Sequence, residues 1–136
     1  MIDDVMFIGL FNSVASICRR HNCDFFLAGS RRFKYHTTKS DLDMVVQDND
    51  DIGNQLKKLG FIISAKNENY PSNTYAWRNV IHLVILPEPS FTKLRVEHES
   101  IEKLLFNNNT LIRFIMKLKR TGMKGSLVYR YLADIC

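Results

Sequence analysis

Cysteine is scarce in this chain of 136 residues: there are three, Cys18, Cys23 and Cys136. No CxxC and no His-pair spacing accompanies them, so neither a disulfide framework nor a zinc site is expected, and they read as reduced thiols. No apolar run reaches the roughly 18–20 residues that a membrane-crossing helix needs. The apolar stretch from Val5 to Phe11 follows Asp3 and Asp4, where a secretory signal carries positive charge, and no small-residue cleavage site comes after it. The expected location is cytoplasmic, with no membrane partner. Repeats, low-complexity tracts and Gly/Ser linkers are absent too, so a single domain over 1–136 is expected. Acidic side chains all but vanish in one region. From Lys103 onward seven basic residues face Asp134 alone, whereas residues 1–68 carry nine of each sign. That skew suits a polyanionic partner, nucleotide or nucleic acid, and equally suits a solvated helical face.

What is present supports a packed core: 46% of residues are hydrophobic and 24% charged, close to the soluble globular average. Residues 3–21 read as a helix, capped by Asp3 or Asp4, with Ile8, Phe11, Val14, Ala15 and Cys18 recurring on one side. Asp24 to Ala28 reads as a buried strand ending at Gly29, followed by a polar, basic loop to Ser40. Leu42 to Val46 is a second strand. Asp50 to Leu59 is helical, with Ile52, Leu56 and Leu59 inward and Gly60 as its C-cap. Phe61 to Ala65 reads as a strand, and Asn67 to Asn73 as a turn around Pro71. Thr74 to Trp77 and Val80 to Leu86 are strands joined by a tight turn at Arg78-Asn79. Pro87 and Pro89 end the sheet, and about 91–134 forms two or three helices with breaks near 107–109 and 122–125. This order predicts an α/β (α+β) fold with a small mixed sheet of about four or five strands, flanking helices and a helical C-terminus, the core lying in about 1–90 and the helical extension in about 91–136. It lacks the alternation of a regular parallel βαβ fold.

The chemistry concentrates in Phe25-Phe26-Leu27-Ala28-Gly29-Ser30, ten residues, then Asp41-Leu42-Asp43-Met44-Val45-Val46. Residues two apart on a strand share a face, so Asp41 and Asp43 project together while Leu42 and Met44 enter the core. Two adjacent carboxylates repel unless something positive sits between them, and hard cations such as Mg²⁺ take oxygen ligands and bridge to substrate phosphates. Gly29 permits close backbone approach and Ser30 adds a hydroxyl, the makings of a phosphate cradle. Arg31, Arg32, Lys34 and Lys39 add positive charge in the connecting loop. The bland reading of the same residues is a polar surface loop followed by a strand with two exposed aspartates.

The spaced Gly-Ser and Asp-x-Asp set resembles the signature of the nucleotidyltransferase superfamily. Its ten-residue gap is similar to that of the minimal nucleotidyltransferases, some of which act as antitoxins beside helical toxins. The motif spans residues 25–46, and the order of elements extends the likeness to about residue 86. The resemblance implies transfer of a nucleoside monophosphate from an NTP, ATP first, to a protein or RNA acceptor. By position it implies Gly29 and Ser30 on the triphosphate, with Asp41 and Asp43 as catalytic ligands of Mg²⁺ or Mn²⁺.

The pattern departs at the third carboxylate, which the family supplies from a later strand; the polar position in Val80-Ile81-His82-Leu83 is His82. His82 reads as a general base, as a ligand favouring a softer metal, or as the mark of a site that has lost chemistry and only binds. The last reading makes the chain a catalytically reduced binding module or antitoxin-like regulator of another protein. A structural, hydrogen-bonded histidine is the plain alternative. Glu88 shares strand parity with His82, but Pro87 intervenes; Asp48, Asp50 and Asp51 suit the cap of the next helix. Tyr75 and Trp77 are expected to pack rather than stack on a base. Phe106, Leu111, Phe114, Ile115 and Leu118 form a helical packing face, and Lys117, Lys119, Arg120 and Lys124 suit either phosphate or solvent. His21, His36 and His98 show no ligand spacing.

Overall fold

The computed structural model describes residues 1–64 and 73–136. The first helix, α1 (Asp4–Arg20), starts where Asp3 caps it, its Oδ1 accepting the Met6 N–H at 2.8 Å. Arg19 and Arg20 occupy its last turn, where cations offset the negative end of the helix dipole. Val14, Ala15 and Cys18 are buried, but Ile8 points outward, because the face turned to the sheet core runs through Phe7, Leu10, Phe11, Val14 and Cys18.

Five strands follow in chain order: β1 (Phe25–Ala28), β2 (Leu42–Gln47), β3 (Ile62–Ile63), β4 (Thr74–Trp77) and β5 (Ile81–Leu86). They form one mixed sheet in the order β1-β2-β5-β4-β3, in which β2 and β5 are parallel and the other neighbours antiparallel. The β4–β5 turn has positive φ at both Arg78 and Asn79, the conformation a tight hairpin turn requires, and is closed by the Val80 N–H on the Trp77 carbonyl. β3 is only two residues long. The end of the strand read over 61–65 and the turn expected around Pro71 lie outside the described residues.

Alternation along β2 divides its side chains between two cores. Leu42, Met44 and Val46 join Ile81, Leu83 and Ile85 of β5 under α1 and α3 (Ile52–Lys58). Val45 and Val84 face the other way, with Phe26, Leu86 and Phe91. Phe91 belongs to α4 (Glu88–Leu105), which Pro87 and Pro89 start cleanly because the first helical turn needs no proline N–H. Two more helices, α5 (Asn109–Arg120) and α6 (Gly125–Ile135), gather a third core around Ile101, Ile115, Val128 and Leu132. The helical region is therefore a second wall of the molecule, continuous with the sheet through α4.

Four local expectations change. The basic loop after Gly29 contains a one-turn helix, α2 (Gly29–Phe33), ended by Lys34 in the left-handed region at φ 63°. Its Phe33 and Tyr35 anchor the third core, which is why this polar stretch is not free loop. Leu59 is half exposed, one turn beyond where α3 touches the sheet. Phe114 is exposed, and Phe106, 77% exposed, caps the end of α4 outside the core, so only Ile115, Leu111 and their neighbours pack. Finally, Asn49 rather than an aspartate holds the start of α3, its Oδ1 accepting the Asp51 and Ile52 N–H groups.

Candidate functional site

The parallel pairing of β2 and β5 sets Asp43 beside His82 in register. Both belong to the α4-facing side of the sheet, as does Asp41 just before β2. Asp41 Oδ2 lies 3.3 Å and Asp43 Oδ1 3.9 Å from His82 Nδ1. Asp43 is also the register partner of Ala28 on β1, so the Gly29-Ser30 bend arrives directly beside it. These residues line one cavity of about 780 Å³ between the sheet and α4, α5 and α6. That volume is within the range of small-molecule sites.

Asp43 keeps 42% of its side-chain surface open to the cavity, yet the surroundings of its carboxyl are crowded with protein. Burial and then the charge of Asp41 push its pKa up to about 7, against the pull of Lys119 and Arg31. The same neighbourhood pushes Tyr35 up to about 12, through burial and then the Asp43 charge.

Gly29, Ser30, Asp41, Asp43 and His82 are brought together as the sequence predicts. Arg31, Arg32 and Lys34 do not line the cavity. Arg31 is 5% exposed, and its guanidinium binds the carbonyls of Ile2 at 2.8 Å, Ser40 at 3.0 and 3.1 Å and Thr37 at 3.3 Å, while lying over the Phe7 ring. It ties the N-terminus and the 37–40 segment to α2 and so fixes the approach to Asp41. Arg31→Met should lower stability by about 2 kcal/mol, since buried carbonyls lose their donors. Arg31→Lys should recover little, because one ammonium cannot replace the planar fork. Urea denaturation of both variants checks this. Arg32 is engaged by Glu102 Oε2 at 2.7 and 2.9 Å and by the Leu27 carbonyl, and Lys34 is exposed. Of the basic C-terminal residues, Lys119 and Lys124 line the cavity, as does Ser126.

The α4 wall carries no motif that singles it out in the sequence. Lys93, Leu94, Glu97 and His98 line the cavity from this helix, and Tyr129 of α6 joins them. Their signal is the spacing of 93/94 and 97/98, one helical turn apart, which places them on one face. His98 is 4% exposed, packed among the rings of Phe26, Phe33 and Tyr129 with centroids 5.0–5.5 Å away, and its Nδ1 donates to the Leu94 carbonyl at 2.8 Å. Burial lowers its pKa to about 4. The unfolded chain, with an ordinary histidine, takes up this proton near pH 6.5 and the folded chain only near 4. His98 should therefore contribute stability that is full above pH 6.5 and is lost, by up to about 3 kcal/mol, as pH drops towards 4, while Asp43, with its raised pKa, acts in the opposite sense over the same range. The His98 part is isolated in an Asp43→Asn background, where adding His98→Phe should flatten the profile, read from urea midpoints between pH 4.5 and 7.5.

No family model matches this chain, and neither does any curated protein or solved structure. Among the described residues no helix is long and apolar enough to cross a membrane.

Proposed function

We propose that the chain binds a nucleoside triphosphate with Mg²⁺ or Mn²⁺ in this cavity and transfers the nucleoside monophosphate to a protein or RNA acceptor, as a member of the nucleotidyltransferase superfamily. The observation that carries this reading is the convergence of Gly29-Ser30, Asp41, Asp43 and His82 in one cavity that also receives Lys119 and Lys124. Asp41 and Asp43 offer the hard oxygen donors such ions prefer. Two carboxylates leave the rest of the ion's coordination shell to phosphate and water. When bound, that cation would neutralise charge on the phosphate oxygens. Gly29, with no Cβ, lets a phosphate approach the backbone, and the Ser30 hydroxyl can donate to it. Lys119 and Lys124 offset the triphosphate charge from the helical wall. His82, held beside Asp41, can take the proton of an acceptor hydroxyl as oxygen–phosphorus bond formation expels pyrophosphate.

Purified protein given radiolabelled NTPs, Mg²⁺ or Mn²⁺ and candidate acceptors should label an acceptor. Labelling unchanged in Asp41→Ala/Asp43→Ala would refute the roles of the acidic pair.

A second reading, a site of the same ancestry that binds without transferring, is favoured by one contact. The His82 ring lies against both carboxylates, with Nδ1 3.3 Å from Asp41 Oδ2 and 3.9 Å from Asp43 Oδ1, so an imidazole already neighbours the oxygens that an ion would use. An antitoxin-like protein partner would then be the functional ligand. Nucleotide binding without any labelling, together with a stoichiometric co-purifying protein, supports this reading over the first.

A further inference from the structure

We infer that the α4–α6 wall of the cavity is a base pocket for guanine, with Glu97 as the residue that reads the base; the inference rests on the nucleotide-binding reading above and deepens it. Val45, Val84 and Leu94 supply apolar surface beside the His98 and Tyr129 rings, surroundings that suit a flat aromatic ligand. Among the described residues, one acidic residue besides the Asp41/Asp43 pair belongs to this lining, Glu97. It comes from α4, across the cavity from the strands that position the acidic pair.

The Glu97 carboxylate is oriented from the neighbouring helix: the Tyr129 hydroxyl donates to its Oε1. An ionised carboxylate only accepts, and offers about four lone-pair sites, of which Tyr129 takes one. The bases differ in what they present to such a group. Guanine sets two donors, N1–H and an N2–H, side by side on its Watson–Crick edge and can meet both carboxylate oxygens. Adenine and cytosine set a ring acceptor next to their amino donor, so a carboxylate faces a repelling lone pair. Uracil offers a single N–H between two carbonyls. Lys93, one turn before Glu97 on the same wall, brings a cation for the guanine O6 acceptor beside N1. Guanine is therefore favoured over the adenine that the family resemblance alone puts first.

Calorimetric titration of the full chain with GTP, ATP, CTP and UTP in Mn²⁺, and with guanosine and adenosine without metal, tests this. GTP should bind at least about 10-fold more tightly than the other three, the scale of a charge-assisted hydrogen bond. Glu97→Gln presents one donor and one acceptor, and should bring ATP and GTP within about threefold of each other. Tyr129→Phe, which frees the carboxylate without removing it, should narrow the preference by a smaller factor. Equal affinity for all four nucleotides, or a guanine preference that survives Glu97→Gln, overturns the Glu97 assignment; if binding still needs Asp41 and Asp43, the nucleotide reading stands. Failure of every nucleotide and of guanosine to bind overturns both.

Discussion

Asp43→Asn should abolish the response of the protein to nucleotide and divalent cation while leaving the free protein at least as stable as before. Burial and the neighbouring Asp41 charge both disfavour the ionised form, and Lys119 and Arg31 offset them only in part. A neutral side chain of the same shape removes that penalty. The contact it gives up, His82 Nδ1 at 3.9 Å, is too long for a charge-assisted hydrogen bond. The melting temperature of the unliganded variant should therefore match or exceed that of the wild type by a few degrees.

Ligand response should change in the opposite sense. A ligand present at 100 times its Kd adds about 2.7 kcal/mol to the folded state, roughly 10 °C in Tm for a chain of this size. Wild type with NTP and Mn²⁺ should show such a shift, and Asp43→Asn should show almost none. Asp41→Asn should lose the ligand shift without the gain in stability, because its carboxylate is the closer partner of His82, at 3.3 Å. Greater stability combined with lost binding is the signature of a residue kept for function. An Asp43→Asn protein that melts lower than wild type and still responds to nucleotide would remove Asp43 from the site.

The sheet was legible because its strands are marked at both ends: Gly29, Gly60, Arg78-Asn79 and Pro87 punctuate apolar runs whose alternation assigns each face. The acidic pair was legible for the same reason, since Asp41 and Asp43 share parity and strand parity is a local property. His82 opposite them was legible only as a type of residue at a position. Its contact with both carboxylates follows from β2 and β5 being parallel neighbours, a pairing of distant segments that no local pattern carries. The roles of Arg31 and Arg32 were hidden differently. Charge in a loop suggests solvent or phosphate, whereas here carbonyls and Glu102 capture the guanidinium groups once α2 folds against α4. Glu97, His98 and Tyr129 depend on helix packing and belong to two separate helices, so nothing in either segment announces that they meet. The basic C-terminus divides in the same way: Lys119 and Lys124 line the cavity, while Lys117 and Arg120 remain exposed on the outer side.

Gly29 joins the fold to the proposed chemistry, and Gly29→Ala should cost about 2–5 kcal/mol, the sum of two separate penalties. The residue has φ +71°, a region where an added Cβ costs about 1–2 kcal/mol against the carbonyl that follows. The Cβ would also collide with Asp43 Oδ2 and come within 3.1 Å of Asp43 Cβ and Cγ, and overpacking of this kind adds about 1–3 kcal/mol. The backbone is held by β1 pairing Ala28 with Asp43, so the turn cannot swing away without opening the end of the sheet. Asp43 must move instead, which carries its carboxylate away from Asp41. The substitution should therefore lower stability and ligand response together, unlike Asp43→Asn, which separates them. A double-mutant cycle isolates the contact: in an Asp43→Ala background, with the carboxyl gone, Gly29→Ala should cost about 1–3 kcal/mol less than in the wild type. Equal cost in both backgrounds would mean that the strain is purely local to the turn and that Gly29 does not govern where Asp43 lies.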